Sequence, residues 1–282
     1  MPIVNIDGIA TRYELIGAGA PLLMFSPGGF DATLEKWRVL GIYAKIKPLE
    51  FLSRHFQCIV FDRRECGQSG GRVEAIGWQH YVAQGKGLLD HLGIAKAHLM
   101  GGCMGCAPVV GMAVAHAQMV QSMLLFWPVG GAKYRINGQL RFAQHLEVLR
   151  EHSLRDVVDL ARSSGKSFGE DPRGGPWAAV LRSDSGVAAS YAAQDKAEYT
   201  AIVQHMQRNL FDRDTAPGAE PEDMLRLNIP ALIVPGRDAS HATSAARYLE
   251  ECLSGSQYWD APVEAQTADA ASERMLQFLQ AQ

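Results

Sequence analysis

The sequence has little of three things: long apolar runs, clusters of like charge, and histidine near its end. No apolar stretch reaches the roughly 20 residues that a membrane-spanning helix needs, and the first residues lack the charged start and apolar run of a secretory leader. The expectation is therefore a cytoplasmic protein with no membrane partner. The net charge of -3 and the absence of any Lys/Arg run argue against nucleic acid or another polyanion as partner. The five cysteines are odd in number and sit mostly in apolar surroundings, so they do not form the framework of a disulfide-stapled fold. Cys103 and Cys106 imitate a metal or redox half-site, but no second Cys/His pair lies at the matching spacing, and neither a metal nor an organic cofactor is expected. No phosphate-cradling or dinucleotide glycine pattern is present.

The chain does carry ample core-forming material, 47% of 282 residues being hydrophobic, with only 20% charged. Ile3 to Ile6 and Thr11 to Ile16 flank Asp7-Gly8, a two-residue hairpin signal. Short apolar runs follow at Pro21 to Phe25, Gln57 to Phe61, Ala97 to Met100, Ser122 to Phe126, Ala231 to Val234 and Gln257 to Trp259. Helix-compatible segments alternate with them at Tyr81 to Leu92, Ala107 to His116 and Ala242 to Cys252, the signature of a parallel α/β sheet. Between Trp127 and about Leu227 the pattern turns wholly helical, with joints at Gly165, Asp171-Pro172, Gly174-Gly175-Pro176 and Pro217-Gly218. The expected organisation is a core from residues 1–130, a helical insertion over 131–226, and a second core part over 227–282.

The most telling stretch is Gly101-Gly102-Cys103-Met104-Gly105, a short apolar strand turning sharply into an apolar helix. Glycines flank a residue held on a strained turn because a Cβ there would clash, and a cysteine at a helix N-terminus is favoured as thiolate by the free N–H groups. Together with three other stretches, this one resembles the nucleophile elbow of the α/β-hydrolase superfamily, where serine is usual. Ser26-Pro27-Gly28-Gly29-Phe30 resembles the loop after the third strand, Asp62-Arg63-Arg64-Glu65-Cys66-Gly67-Gln68-Ser69 resembles an Asp-Arg-Arg-Gly-x-Gly-x-Ser loop, and Pro230 to Asp238 resembles the seventh strand and acid-bearing loop. The resemblance covers nearly the whole chain, and dienelactone hydrolases share the cysteine elbow, though not the helical insertion. It implies an α/β-hydrolase fold, a mostly parallel sheet flanked by helices, with a helical cap inserted after the sixth strand.

By the same resemblance, Cys103 is the nucleophile, and the backbone N–H groups of Met104 and of Gly29 or Phe30 form an oxyanion hole. The superfamily's histidine follows its eighth strand, yet no histidine occurs after His241 here. His241 becomes the candidate base and Asp238 its acid, with His80 and His145 as alternative bases and Glu65 as an alternative carboxylate; the structural alternatives are a loop position for His241, helix capping for Asp238, surface or packing positions for His80 and His145, and a salt bridge to Arg63 or Arg64 for Glu65. Arg135, Arg141, Arg173, Arg208 and Arg213 in the insertion suit a substrate carrying an acid group, unless they pair with Asp156, Asp171, Asp212 and Asp214. Arg135, Trp127 and Trp177 are the residues expected at the substrate. The reading is a cofactor-independent hydrolase of a small-molecule ester, thioester, lactone or activated carbonyl. A lyase or acyltransferase would use the same parts, and a ligand-binding protein without catalysis is the rival; a homodimer is left open.

Overall fold

The short apolar runs become the strands of one eight-stranded sheet. The computed structural model describes residues 2–282. Its strands are β1 (Ile3–Ile6), β2 (Ile9–Ile16), β3 (Ala20–Phe25), β4 (Phe56–Phe61), β5 (Ala97–Gly102), β6 (Val120–Phe126), β7 (Ala231–Val234) and β8 (Ser256–Tyr258), lying in the order β1-β2-β4-β3-β5-β6-β7-β8. The β1–β2 pair is antiparallel, turned at Asp7 and Gly8, both at positive φ, and β2 pairs antiparallel with β4. Every other pairing is parallel, which places the ends of β3, β5, β6 and β7 side by side at one edge. Ligands in open α/β sheets bind at that carboxyl edge.

Helices cover both faces. On the first strand-to-strand passage run α1 (Lys36–Val39), α2 (Gly41–Ile46) and α3 (Pro48–Leu52), followed by α4 (Trp78–His91) and α5 (Cys106–Ala115). The inner strands are buried on both sides, so they read as continuous apolar runs rather than alternating ones; β5 and β7 have no exposed residue. One apolar cluster joins Leu23, Ile59, Leu99 and Leu125 to Val109 and Met112 of α5. A second, on the opposite face, joins Met24, Val60 and Met100 to Trp37 and Tyr43.

Between β6 and β7 come α6 (Ala132–Glu151), α7 (Leu154–Ser164), α8 (Ala178–Ser183), α9 (Ser185–Ala192), α10 (Lys196–Leu210) and α11 (Pro221–Met224). Ser153 and Asp156 close a capping box at the start of α7, so the Asp156 carboxylate is spent on the backbone N–H and hydroxyl of Ser153. Asp195 caps α10, its side chain accepting from the N–H groups of Ala197 and Glu198. The inserted helices build a third apolar cluster, and Phe30 and Met104 of the sheet's carboxyl edge belong to it, so insertion and core meet over the strand ends. After β7 the chain closes with α12 (Thr243–Cys252), β8 and α13 (Ala268–Gln280). Among the described residues no helix is long and apolar enough to cross a membrane.

Candidate active site

Cys103 follows β5 directly and takes a φ of 55°. A non-glycine residue in that region costs about 1–3 kcal/mol, and such strain gathers at functional positions. Its neighbours explain how it persists. A Cβ on Gly101 would stand 2.6 Å from the Cys106 Cα, and one on Gly105 would enter the Phe25 carbonyl, so only glycine lets α5 pack against the sheet this closely. Cys103 is partly exposed, while Cys58, Cys66, Cys106 and Cys252 are all buried.

His241 lies in the loop between β7 and α12. That loop is stitched to the end of β6, since Gly130 N–H donates to the Ser240 carbonyl at 3.0 Å and Gly130 forms an isolated parallel bridge with His241. Asp238 organises the turn: its Oδ1 accepts from the backbone N–H of Ser240 at 2.8 Å and of His241 at 3.0 Å. The same carboxylate accepts from the imidazole Nδ1 at 2.8 Å, which fixes the tautomer and leaves Nε2 for other work. Asp238 and His241 are thus joined in a loop at the same edge of the sheet as Cys103, a different loop from the one that bears the histidine in the resembled pattern. His80 instead accepts from the Gly77 N–H at the start of α4, His145 is buried among the inserted helices, and Glu65 pairs with Arg64.

The two reactive groups shift one another. Burial alone would raise the Cys103 thiol, yet the hydrogen-bonding reach and charge of His241, with the backbone of Met104 and Gly28, carry it below its ordinary value. Burial would likewise lower His241, but Cys103 and then Asp238 outweigh it and push the imidazole up to about 9. Burial raises Asp238, whereas His241 and the N–H groups of Ser240 and His241 bring its carboxyl below the usual range. Nε2 is buried without a geometrically complete hydrogen bond. The thiol and the imidazole therefore move in opposite directions, each under the influence of the other. The other titratable groups around the pair, Tyr43, Cys106 and Tyr134, are held neutral, burial raising all three.

In the loop after β3, the backbone of Gly28 acts on the Cys103 sulfur, and Gly29 and Phe30 line the cavity beside it. Gly28 adopts a φ of 120°, the Gly29 carbonyl accepts from the buried Arg63 guanidinium, and the Phe30 ring packs on Phe142 and Phe168. The place after β8 where the resembled pattern holds histidine contains Gln266, fully buried.

A cavity of about 160 Å³ opens over Cys103 and Met104, walled by Gly29, Phe30, Val129, Phe211 and Ser240 and by one face of α6. That face presents Tyr134, Asn137, Gly138 and Arg141, positions separated by three, four and seven residues. Of the three residues expected at the substrate, none lines this cavity. Arg135 is spent on Asp214 at 2.5 Å near the surface. Trp177 is fully buried among Tyr191 and Tyr199, its indole N–H bonded to the Arg72 carbonyl at 3.0 Å. Trp127 packs on His241 instead. Arg173 and Arg213 pair with Asp171 and with Asp212 and Glu220. Arg141, one of five arginines that sequence did not separate, has no carboxylate partner among the described residues and is partly desolvated, which lowers its pKa. The signal that singles it out is its helical register with Tyr134. Among the described residues no group of three or more His, Cys, Asp or Glu side chains is placed to hold a metal ion.

Comparison with known proteins agrees with this architecture. Residues 21–128 match the family described as alpha/beta hydrolase fold. A 2-hydroxy-6-oxo-6-(2'-aminophenyl)hexa-2,4-dienoic acid hydrolase of Metapseudomonas resinovorans is 24% identical over 237 residues, 83% of this chain and 73% of that protein. A 2-hydroxy-6-oxo-6-phenylhexa-2,4-dienoate hydrolase of Comamonas testosteroni is 32% identical over 186 residues, covering 63% of this chain and 62% of that protein, under two thirds of its length. Among solved structures, an enol-lactonase from Burkholderia xenovorans superposes with a TM-score of 0.61 at 20% identity, over 99% of this chain and 100% of that one.

Proposed function

On the premise that the chain has the α/β-hydrolase fold, we propose that it is a cofactor-independent hydrolase in which Cys103 attacks the carbonyl of a small-molecule ester, thioester, lactone or activated ketone. The observation that carries this reading is the coupled Cys103–His241–Asp238 line on a strained turn. The thiolate adds to the carbonyl carbon, and the developing oxyanion is met by the backbone N–H groups of Met104 and of Gly29 or Phe30, which need no reorganisation. Imidazolium His241 gives its proton to the leaving oxygen, sulfur or carbon, and a thioester to Cys103 remains. Neutral His241 then takes a proton from water, whose oxygen displaces the thiolate and releases the acid. Asp238 holds the ring in the required tautomer throughout and stays ionised.

Arg141 supports the further reading that the substrate bears an acid group. A guanidinium in a half-dry wall without a counter-charge is costly, and a carboxylate offers it two parallel hydrogen bonds. Names of two relatives, both hydrolases of dienoic acids, agree with a carboxylate-bearing carbonyl substrate. The hydrolytic reading is tested with p-nitrophenyl esters: Cys103→Ala is expected to abolish turnover, and the wild type to accumulate an acyl-enzyme on Cys103 detectable by mass spectrometry. Full turnover by Cys103→Ala would overturn covalent catalysis.

A further inference from the structure

The resembled pattern places its base after β8; here the candidate base stands in the β7–α12 loop, and the loop after β8 holds no histidine but contains Gln266. Gln266 is 0% exposed and fully engaged. Its amide nitrogen donates to the Pro235 carbonyl at 2.9 Å and the Ala261 carbonyl at 3.0 Å, and its oxygen accepts from the Trp127 indole N–H at 2.7 Å. Two carbonyls on the nitrogen and one N–H on the oxygen leave a single orientation of the amide. One side chain thereby ties together the ends of β6 and β7 and the loop after β8.

Trp127 is the first residue beyond β6 and has a φ of 53°, a backbone state that an aromatic residue rarely adopts without support. Its backbone N–H donates to the Val234 carbonyl at 2.8 Å, and its ring stands against the His241 imidazole with centroids 5.5 Å apart and planes inclined at 55°. Gly236 makes the approach feasible: a Cβ there would lie 2.6 Å from the His241 Cβ and 3.0 Å from the indole. Asp238 grips the imidazole at Nδ1, but a bond at one atom leaves the ring free to tilt about it. The indole face supplies the second constraint and keeps water from that side.

We infer that Gln266 and Trp127 form a positioning device for the displaced base, the amide locking the indole and the indole fixing the plane of His241 against Cys103. Neither residue touches the reacting atoms. Gln266 acts through Trp127, and Trp127 through His241. The inference rests on the Cys103–His241 pairing proposed above, and its readout is the titration of the thiol rather than turnover.

The experiment measures the pH dependence of Cys103 alkylation by iodoacetamide in the full chain, with thiolate ultraviolet absorbance alongside. The groups facing the pair are Asp238, Tyr43, Cys106, Tyr134 and Arg141, of which the two tyrosines and Cys106 stay neutral and the guanidinium stays charged, so one transition reports the pair. Gln266→Met keeps the length of the side chain and removes its hydrogen bonds. Trp127→Phe keeps a smaller ring beside His241 and removes the indole N–H that Gln266 holds. Each is expected to raise the thiol midpoint by about one pH unit, a roughly tenfold slower alkylation below the midpoint. The double variant is expected to shift it no further, since both substitutions break one chain of contacts. An unchanged midpoint in folded Trp127→Phe, or additive shifts in the double variant, would overturn the inference. A wild-type thiol that titrates at its ordinary value would instead overturn the Cys103–His241 pairing itself.

Discussion

Cys103 and His241 shift in opposite directions, and the sign of each decides the pH behaviour. The thiol, held below its ordinary value, becomes thiolate as pH rises through its lowered midpoint. The imidazole, pushed up to about 9, keeps its proton until near that value. On the proposed mechanism the thiolate–imidazolium pair is expected between the two, and kcat/KM is expected to be bell-shaped with an alkaline limb near 9, checked by initial rates across pH on a fixed ester. The stability linkage runs the same way: the raised imidazole contributes fully below its ordinary 6.5 and loses that contribution as pH rises through about 9. Arg141 carries a separate residue-level prediction. Arg141→Gln is expected to raise KM about tenfold or more for an ester whose acyl chain ends in a carboxylate, the loss of a charge-assisted hydrogen bond. KM for the uncharged ester of equal length is expected to change little, as steady-state kinetics on the two substrates would show.

At the scale of elements, the inserted helices hold a buried polar chain at the junction of α6, α9 and α10. Tyr191 donates to the Tyr199 hydroxyl at 2.6 Å, Tyr199 faces His145 Nε2 at 2.7 Å, and His145 Nδ1 faces the Arg173 carbonyl at 3.1 Å. The chain is satisfied when His145 is neutral with its proton on Nδ1, and burial pushes its pKa down to about 4. A histidine lowered in the folded state contributes stability above its ordinary 6.5 and loses it as pH falls toward 4, because the unfolded chain binds the proton first. Urea unfolding at successive pH values is expected to show that decline in the wild type and a shallower one in His145→Gln. The elements themselves were largely readable from sequence. The Asp7-Gly8 hairpin, the apolar runs of β3 to β7 and the helix after Cys103 each follow from local chemistry that tertiary contacts reinforce. Helix α4 begins at Trp78 rather than Tyr81 because His80 caps it through the Gly77 N–H, a side-chain choice that hydrophobic periodicity does not register.

For the whole molecule, Phe30 and Met104 come from the sheet's carboxyl edge yet are packed with Phe142, Phe168 and Phe211 of the insertion. Aromatic side chains buried across such a seam dominate its energetics, at about 1.5–3 kcal/mol each. Insertion and core are therefore expected to unfold in one transition, seen as coincident midpoints by calorimetry and by tryptophan fluorescence. A separate early transition would mean that the seam is weaker than its packing implies.

The sequence by itself determined the fold and singled out Cys103 as the candidate nucleophile, because strand runs, turn glycines and the Gly-x-Cys-x-Gly spacing are local properties of the chain. It also supplied His241 and Asp238 as candidates, three residues apart and so able to share a turn. What it did not determine was the choice among histidines, among arginines and among loop amides. Those choices depend on which segments the sheet brings together: the β6–β7 edge positions the loop of His241, the Gly28–Phe30 turn lies beside Cys103, and the register of α6 turns Arg141 inward and Arg135 outward. Gln266 had no signal at all in the sequence, since an amide becomes meaningful only when three strand ends meet around it. Proximity between residues far apart in the chain is a property of packing, and the tertiary structure alone decided it.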